Sequence, residues 1–347
     1  MRRHRLDRLT SSALRPEAVE AQRDWLELEA AGDLGPDDVD RALARVREQL
    51  AHLLGVRTHE LVLTSGSVEA THTAVAGVMH RHGGGHLICT TADDRRVLDA
   101  ARRWADDVTI VAVDEHGRID PAVVAAEVRA DTVLVCLPVV SADSGAVQPV
   151  RVLTRACRDR GIVTLLDAVA GVGRIGIDLA DLGADLGIVD AAPFGGGLGA
   201  GVLHVRRGVR IDPLLPGAEQ RLRRGGPIAP GPAIGMGAAA TAITGRSLLD
   251  EVQRAEELAI RLARRLGGLP GIEVADHVPD RIAGHLRLRL GHGEAAAVVE
   301  RLAGSGIHLG CTVDGDLRCA PDWSCGDDAI DALDRAMTAL GADRVDR

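Results

Sequence analysis

The sequence predicts an α/β fold: a large three-layer αβα domain on a mostly parallel sheet, followed by a smaller C-terminal α+β domain. Three observations predict it. Short apolar runs alternate with helical stretches through the first two thirds of the chain, as in a sheet covered by helices on both faces. A Gly/Pro-rich passage, Gly225–Gly237, breaks that alternation and reads as a loop crossing between regions. Beyond it, two or three strand signals are accompanied by helices on one side only. Residues 1–240 are assigned to the large domain and 241–347 to the small one, with about the first 20 residues placed against the small domain.

The elements follow in order. Asp37 to Leu54 repeats apolar positions at helical spacing, and Gly55 is the expected C-cap. Glu60–Thr64 reads as a strand, Ser65-Gly66-Ser67 as a turn, and Val68 to Met79 as a helix. Strand runs recur at His86–Thr90, Val108–Val113, Thr132–Leu137, Ile162–Leu166, Leu186–Val189 and Gly201–Val205. Helices are expected at Arg95–Trp104, Pro121–Arg129 and Val150–Arg160. A Gly-rich loop joins the last two strand runs, so one of them is expected to run antiparallel. A long helix Ser247–Leu266 opens the second region, followed by strands at Ile272–Val274, His285–Leu290 and Leu317–Cys319 and helices at Ala295–Leu302 and Asp327–Leu340.

Composition excludes several functions. The 347 residues carry a formal net charge of -9, which argues against a general nucleic-acid binder. No apolar stretch reaches membrane-spanning length, so a cytoplasmic protein is expected. Six cysteines are too few for a disulfide scaffold, and Cys311, Cys319 and Cys325 cluster without the tight pairing of a zinc site, so no metal is expected. All 41 formally basic Lys+Arg residues are arginine. Arginine stays protonated and cannot replace a lysine amine as a nucleophile toward an aldehyde.

Several strings, in order and nearly throughout the chain, carry a family resemblance. They are Leu63–Ala70, Val113–Asp120, Ser144–Pro149, Leu166–Gly173, Gly199–Gly208 and Leu317–Trp323. The sequence resembles the class V aminotransferase and cysteine desulfurase superfamily of fold-type I pyridoxal-phosphate enzymes. The resemblance implies a PLP-transferase-like fold and a phosphate cradle at Ser65, Gly66 and Ser67. It also implies a cofactor-facing Asp167, a carboxylate-binding Arg318, an arginine loop at Arg223 and Arg224, and a homodimer with clefts at the subunit interface.

Against that pattern the chain departs at one pocket. Pro193 stands at the Schiff-base lysine, Asp190 at a phosphate-binding serine, Ala192 at a histidine and Val68 at a cradle threonine. Asp94 stands at the ring-stacking histidine, Ser141 at an asparagine and Ala170 at a polar neighbour of the aspartate. A carboxylate beside a phosphate repels it, and a carboxylate offers no flat π face. The sequence therefore leads to an expectation of no cofactor, neither covalent nor noncovalent pyridoxal phosphate. It points to a degenerate member acting as a non-catalytic scaffold, a small carboxylate or anion binder, or a homodimer or heterodimer partner of an active paralogue. The alternative is a PLP-independent enzyme reusing the cleft on a small carboxylate- or sulfur-containing metabolite, with Asp94, Asp167 and Asp190 as catalytic acids and Arg318 as anchor. His72 and His204 are further candidate bases.

Overall fold

The computed structural model describes residues 3–275, 280–291 and 294–345. Its strands are β1 (His4–Arg5), β2 (Leu61–Thr64), β3 (His86–Thr90), β4 (Asp107–Val111), β5 (Thr132–Pro138), β6 (Val163–Asp167), β7 (Leu186–Asp190), β8 (Gly201–Val205), β9 (Ile272–Val274), β10 (Leu286–Leu290), β11 (Ile307–His308), β12 (Gly310–Cys311) and β13 (Leu317–Cys319). Its helices are α1 (Pro16–Ala31), α2 (Pro36–Leu54), α3 (Ser67–His82), α4 (Arg95–Trp104), α5 (Pro121–Ala126), α6 (Val150–Arg158), α7 (Pro230–Ala242), α8 (Arg246–Leu266), α9 (Ala295–Gly304) and α10 (Asp327–Val345).

Strands β2 to β8 make one seven-stranded sheet in the order β2-β8-β7-β6-β5-β3-β4. Pairs β7–β6, β6–β5, β5–β3 and β3–β4 are parallel, whereas β8 runs antiparallel to both its neighbours. The central strands are buried along their length, as a sheet with helices on both faces requires. One apolar cluster on this sheet includes Ile88, Val135, Leu166 and Val189; a second includes Leu87, Leu134, Leu165 and Ile188. Alternate residues along each strand thus feed opposite faces. A third cluster, around Leu258, Leu286, Leu317 and Ile330, is the core of the smaller α+β domain, whose sheet runs β12-β13-β10-β9.

The Gly/Pro-rich passage differs from its expected loop. From Pro230 onward it is helix α7, packed against α1 and α2. Pro230 is tolerated in the first turn, where its missing N–H would have no helical partner. Gly235 packs against the side chain of Gln22, and Gly237 against Gln49 and Val46, where a Cβ would have no room without movement. The glycines that weaken helix propensity here permit close helix approach. Strand β1 is not among the expected strands: within the stretch placed against the small domain, it pairs in parallel with β11, His4 opposite Ile307.

Candidate functional site

Two strand ends and two helix starts build the site at the C-terminal edge of the sheet. Asp167 ends β6 and Asp190 ends the neighbouring β7. Strand β8 lies between β7 and β2, so that Gly201 pairs with Asp190 on one side and Thr64 on the other. A Cβ on Gly201 would stand 2.6 Å from the Gly66 carbonyl carbon. Only glycine permits this approach, which brings the turn before α3 beside Asp190.

The expected anion cradle is filled from within the chain. The Ser67 amide donates to Asp190 Oδ2 at 2.7 Å, and the Ser65 amide donates to Glu69 Oε2 at 2.8 Å. Asp190 Oδ1 also accepts from the Ala192 amide at 3.1 Å. A helix N-terminus favours negative charge because its first N–H groups lack helical partners. Asp190 supplies that charge.

The second half of the site centres on Arg96, which sequence reasoning missed. Asp94 caps α4, its Oδ1 accepting from the Arg96 amide at 2.9 Å. That cap sets the first turn so that the Arg96 side chain turns back over the strand ends. Its NH1 lies 2.9 Å from Asp94 Oδ1, and its NH2 pairs closely with Asp167 Oδ2. Asp167 Oδ1 accepts from the Val169 amide at 3.0 Å. Burial lowers the affinity of the Arg96 guanidinium for its proton, but Asp167, Asp94 and Asp190 outweigh it and hold the group above its ordinary value. Burial pushes the Asp167 carboxyl up; Arg96 opposes the rise, and Asp94 and Asp190 add to it.

The three acids named from the sequence therefore do converge, around a guanidinium of this chain. Asp94 Oδ1 and both oxygens of Asp167 and of Asp190, expected to work as general acids or hold a cation, are engaged in a helix cap, an ion pair and backbone bonds. Leu9, Thr10, Ala92, Asp94, Arg96 and Asp167 line a cavity here of ≈20 Å³, space for about one water molecule.

The other candidates lie elsewhere. Pro193 is buried in a single turn of 3₁₀ helix and lines a separate cavity with Arg15, Arg174, Glu251, Asp322 and Trp323. Arg15 fixes this turn, donating to the Phe194 carbonyl at 2.8 Å and pairing with Glu251 at 2.6 Å. Arg318 is held by Asp7 at 2.8 Å and Asp143 at 3.2 Å, and also donates to the Ala142 carbonyl at 3.1 Å. Its guanidinium ties the N-terminal segment to the loop after β5 and is not presented free for a carboxylate. Arg224 pairs with Glu69 at 2.8 Å, the same carboxylate that accepts from Ser65, and Arg223 donates to the His59 carbonyl at 3.2 Å. His72 accepts from the Trp104 indole at 2.9 Å, which gives it a packing role. Burial pulls His204 down to about 4, so it stays neutral through the physiological range.

The match to the family profile described as Aminotransferase class-V covers residues 36–320. The chain belongs to the class-V aminotransferase family. A protein named cysteine desulfurase IscS from Proteus mirabilis (strain HI4320) is 35% identical over 231 residues, 64% of this chain and 57% of that protein. The chain thus matches less than two thirds of that relative's length. A cysteine desulfurase IscS from Anaeromyxobacter sp. (strain Fw109-5) is 31% identical over 288 residues, 79% of this chain and 70% of that protein. Among solved structures, a NifS-like protein superposes with a TM-score of 0.89 at 21% identity, covering 97% of this chain and 99% of the other. That likeness shows the fold.

Kinship corrects the expectation of no cofactor. Membership of this family makes a pyridoxal-phosphate site the expectation for the fold; the sequence resemblance would put it at the cradle and Asp167. The residues now present do not fit a lysine-linked group. The chain has no lysine, Arg96 covers Asp167, and Asp190 takes the Ser67 amide. Any pyridoxal phosphate taken at this site is held without an imine to a lysine of this chain.

Proposed function

We propose that this class-V family protein carries out no lysine-imine chemistry and serves as a non-catalytic partner or scaffold, with residues 1–240 and 241–347 as its two domains. The observation that supports this most is the paired substitution at one pocket. A cation of the chain sits on Asp167 and an anion of the chain sits on the cradle, in a sequence without lysine. Charges placed so are mutually satisfied, whereas a catalytic carboxylate needs an oxygen free for substrate. The purified chain, supplied with pyridoxal phosphate and L-cysteine, is expected to release no sulfide over many hours. Multiple turnovers of sulfide would contradict the proposal.

The same reading includes a homodimer. Leu198 and Leu222 are 80% and 66% exposed, and Val68, at the start of α3, is 57% exposed. Large apolar side chains so exposed mark an association surface when they are contiguous. Light scattering is expected to give twice the 36.4 kDa chain mass, and Leu198→Asp with Leu222→Asp to shift it toward the monomer. A wild-type monomer at all concentrations would remove this part of the proposal.

A further inference from the structure

We propose that the opposite end of the large sheet carries a binding site for a diphosphate group, independent of the cleft and of the function proposed for it. The site is a surface cavity of ≈370 Å³ lined by Arg81, His82, Arg158, Arg206 and Arg210, with Asp185 its single carboxylate. It lies where α3 and α6 end, β6 and β7 begin, and the antiparallel β8 finishes. The antiparallel course of β8 brings Arg206 to this end of the sheet.

Charge and placement point to an anion. The chain as a whole is acidic, at -9, yet this cavity collects four arginines around one acid. That acid is already satisfied. Asp185 is buried; its Oδ2 accepts from the Thr164 amide at 3.0 Å and hydroxyl at 3.1 Å, and its Oδ1 accepts two bonds from Arg206 at 2.9 and 2.6 Å. Asp185 thus acts as a fixed post that orients the Arg206 guanidinium, which remains 41% exposed.

The other guanidiniums are steered without being neutralised. Arg158 donates one bond to the Gly183 carbonyl at 2.8 Å, and among the described residues no carboxylate pairs with Arg158 or Arg210. Arg81 has only Asp212, at 4.0 Å, with both side chains nearly half exposed. Exposed pairs at that distance contribute little, so Arg81 remains available to a ligand.

The backbone leaves room. Gly161 and Gly208 have φ of +72° and +96°, and a Cβ on either would meet nothing within 4 Å. Ile162, Val163 and Val209 form an apolar wall beside the cations. Forked guanidiniums around a cavity of this size match two linked phosphates, which take several charge-assisted hydrogen bonds at once. Such a group arrives as free pyrophosphate or as the tail of a nucleotide whose base lies on the apolar wall.

Calorimetric titration of the full chain at 0.15 M salt, where exposed charges are screened beyond ~8 Å, tests this with pyrophosphate and ADP. Saturable binding at one site per chain is expected. Tighter binding of ADP would identify a nucleotide as the source, and equal binding the free diphosphate. Arg158→Ala with Arg210→Ala is expected to weaken binding about tenfold or more, the size of losing charged hydrogen bonds, with an unchanged melting temperature. Arg45→Ala, an exposed arginine on α2, is expected to leave binding unchanged. No saturable binding of either ligand, no effect of the double variant, or an equal loss in Arg45→Ala would each overturn the proposal.

Discussion

Arg96→Met is expected to destabilise the protein by about 3–5 kcal/mol at pH 7, the range for removing one partner of a buried ion pair. Methionine keeps most of the arginine stem and its packing, so the loss reports charge. Asp167, with 7% of its side chain exposed, would be left beside Asp94 and Asp190 with no cation among them. The sign with pH follows. Burial already raises the folded-state value of Asp167, and Arg96 is the main force against that rise. Without Arg96 the value rises further, so the variant binds a proton when folded that it lacks when unfolded. Its stability is then greatest in acid and falls as pH increases. Urea unfolding at pH 5 and pH 8 is expected to show a larger deficit at pH 8, and Asp167→Asn in the Arg96→Met background is expected to recover much of it. A deficit below ~1 kcal/mol at pH 7 would show that the pair contributes no more than an exposed one.

Asp93→Asn is expected to flatten the pH dependence of stability. Asp93 is buried one residue before the α4 cap, and its Oδ2 accepts from the Thr90 amide at 2.7 Å and hydroxyl at 2.8 Å. Its Oδ1 has no partner. Burial pushes this carboxyl up to about 8, with Asp167 adding to the shift and Thr90 and Arg96 opposing it. The unfolded chain releases the proton near 3.8, the folded chain near 8. Between those values the native state alone keeps the proton, so stability is highest in acid and falls by ~1.4 kcal/mol per pH unit. Across the window the loss is on the order of 5 kcal/mol. Asparagine keeps the acceptor for Thr90 and cannot ionise. Its amide nitrogen replaces the orphaned oxygen and costs ~1–3 kcal/mol, so the variant is weaker at pH 5 and gains on the wild type toward pH 8. Parallel stability curves would show that Asp93 does not titrate in this range.

The sheet was legible because most of its strands are buried on both faces and read as apolar runs, such as His86–Thr90 and Gly201–Val205. The β8 reversal followed from a Gly-rich connection that held no crossover helix. Helix α7 was not legible: Gly235 and Gly237 lower local propensity, and only Gln22 and Gln49 from distant helices explain them. The absence of lysine and the acids at 94 and 190 could be read directly from the sequence. The compensation could not. Arg95-Arg96 looks like a solvated pair at a helix start, and only the Asp94 cap, the end of β6 and the fold between them turn one of the two inward. Asp190 carried a sign that pointed to repulsion of an external anion. Its position on the Ser67 amide shows that it meets the helix terminus itself.

The most direct measurement is borohydride reduction of the purified chain incubated with excess pyridoxal phosphate, followed by intact-mass and peptide mapping. With no lysine anywhere in the chain, no stoichiometric reduced adduct is expected on any internal residue. A stoichiometric adduct at one internal residue, matched by an absorbance band of an imine before reduction, would contradict the claim that this family member works without Schiff-base chemistry.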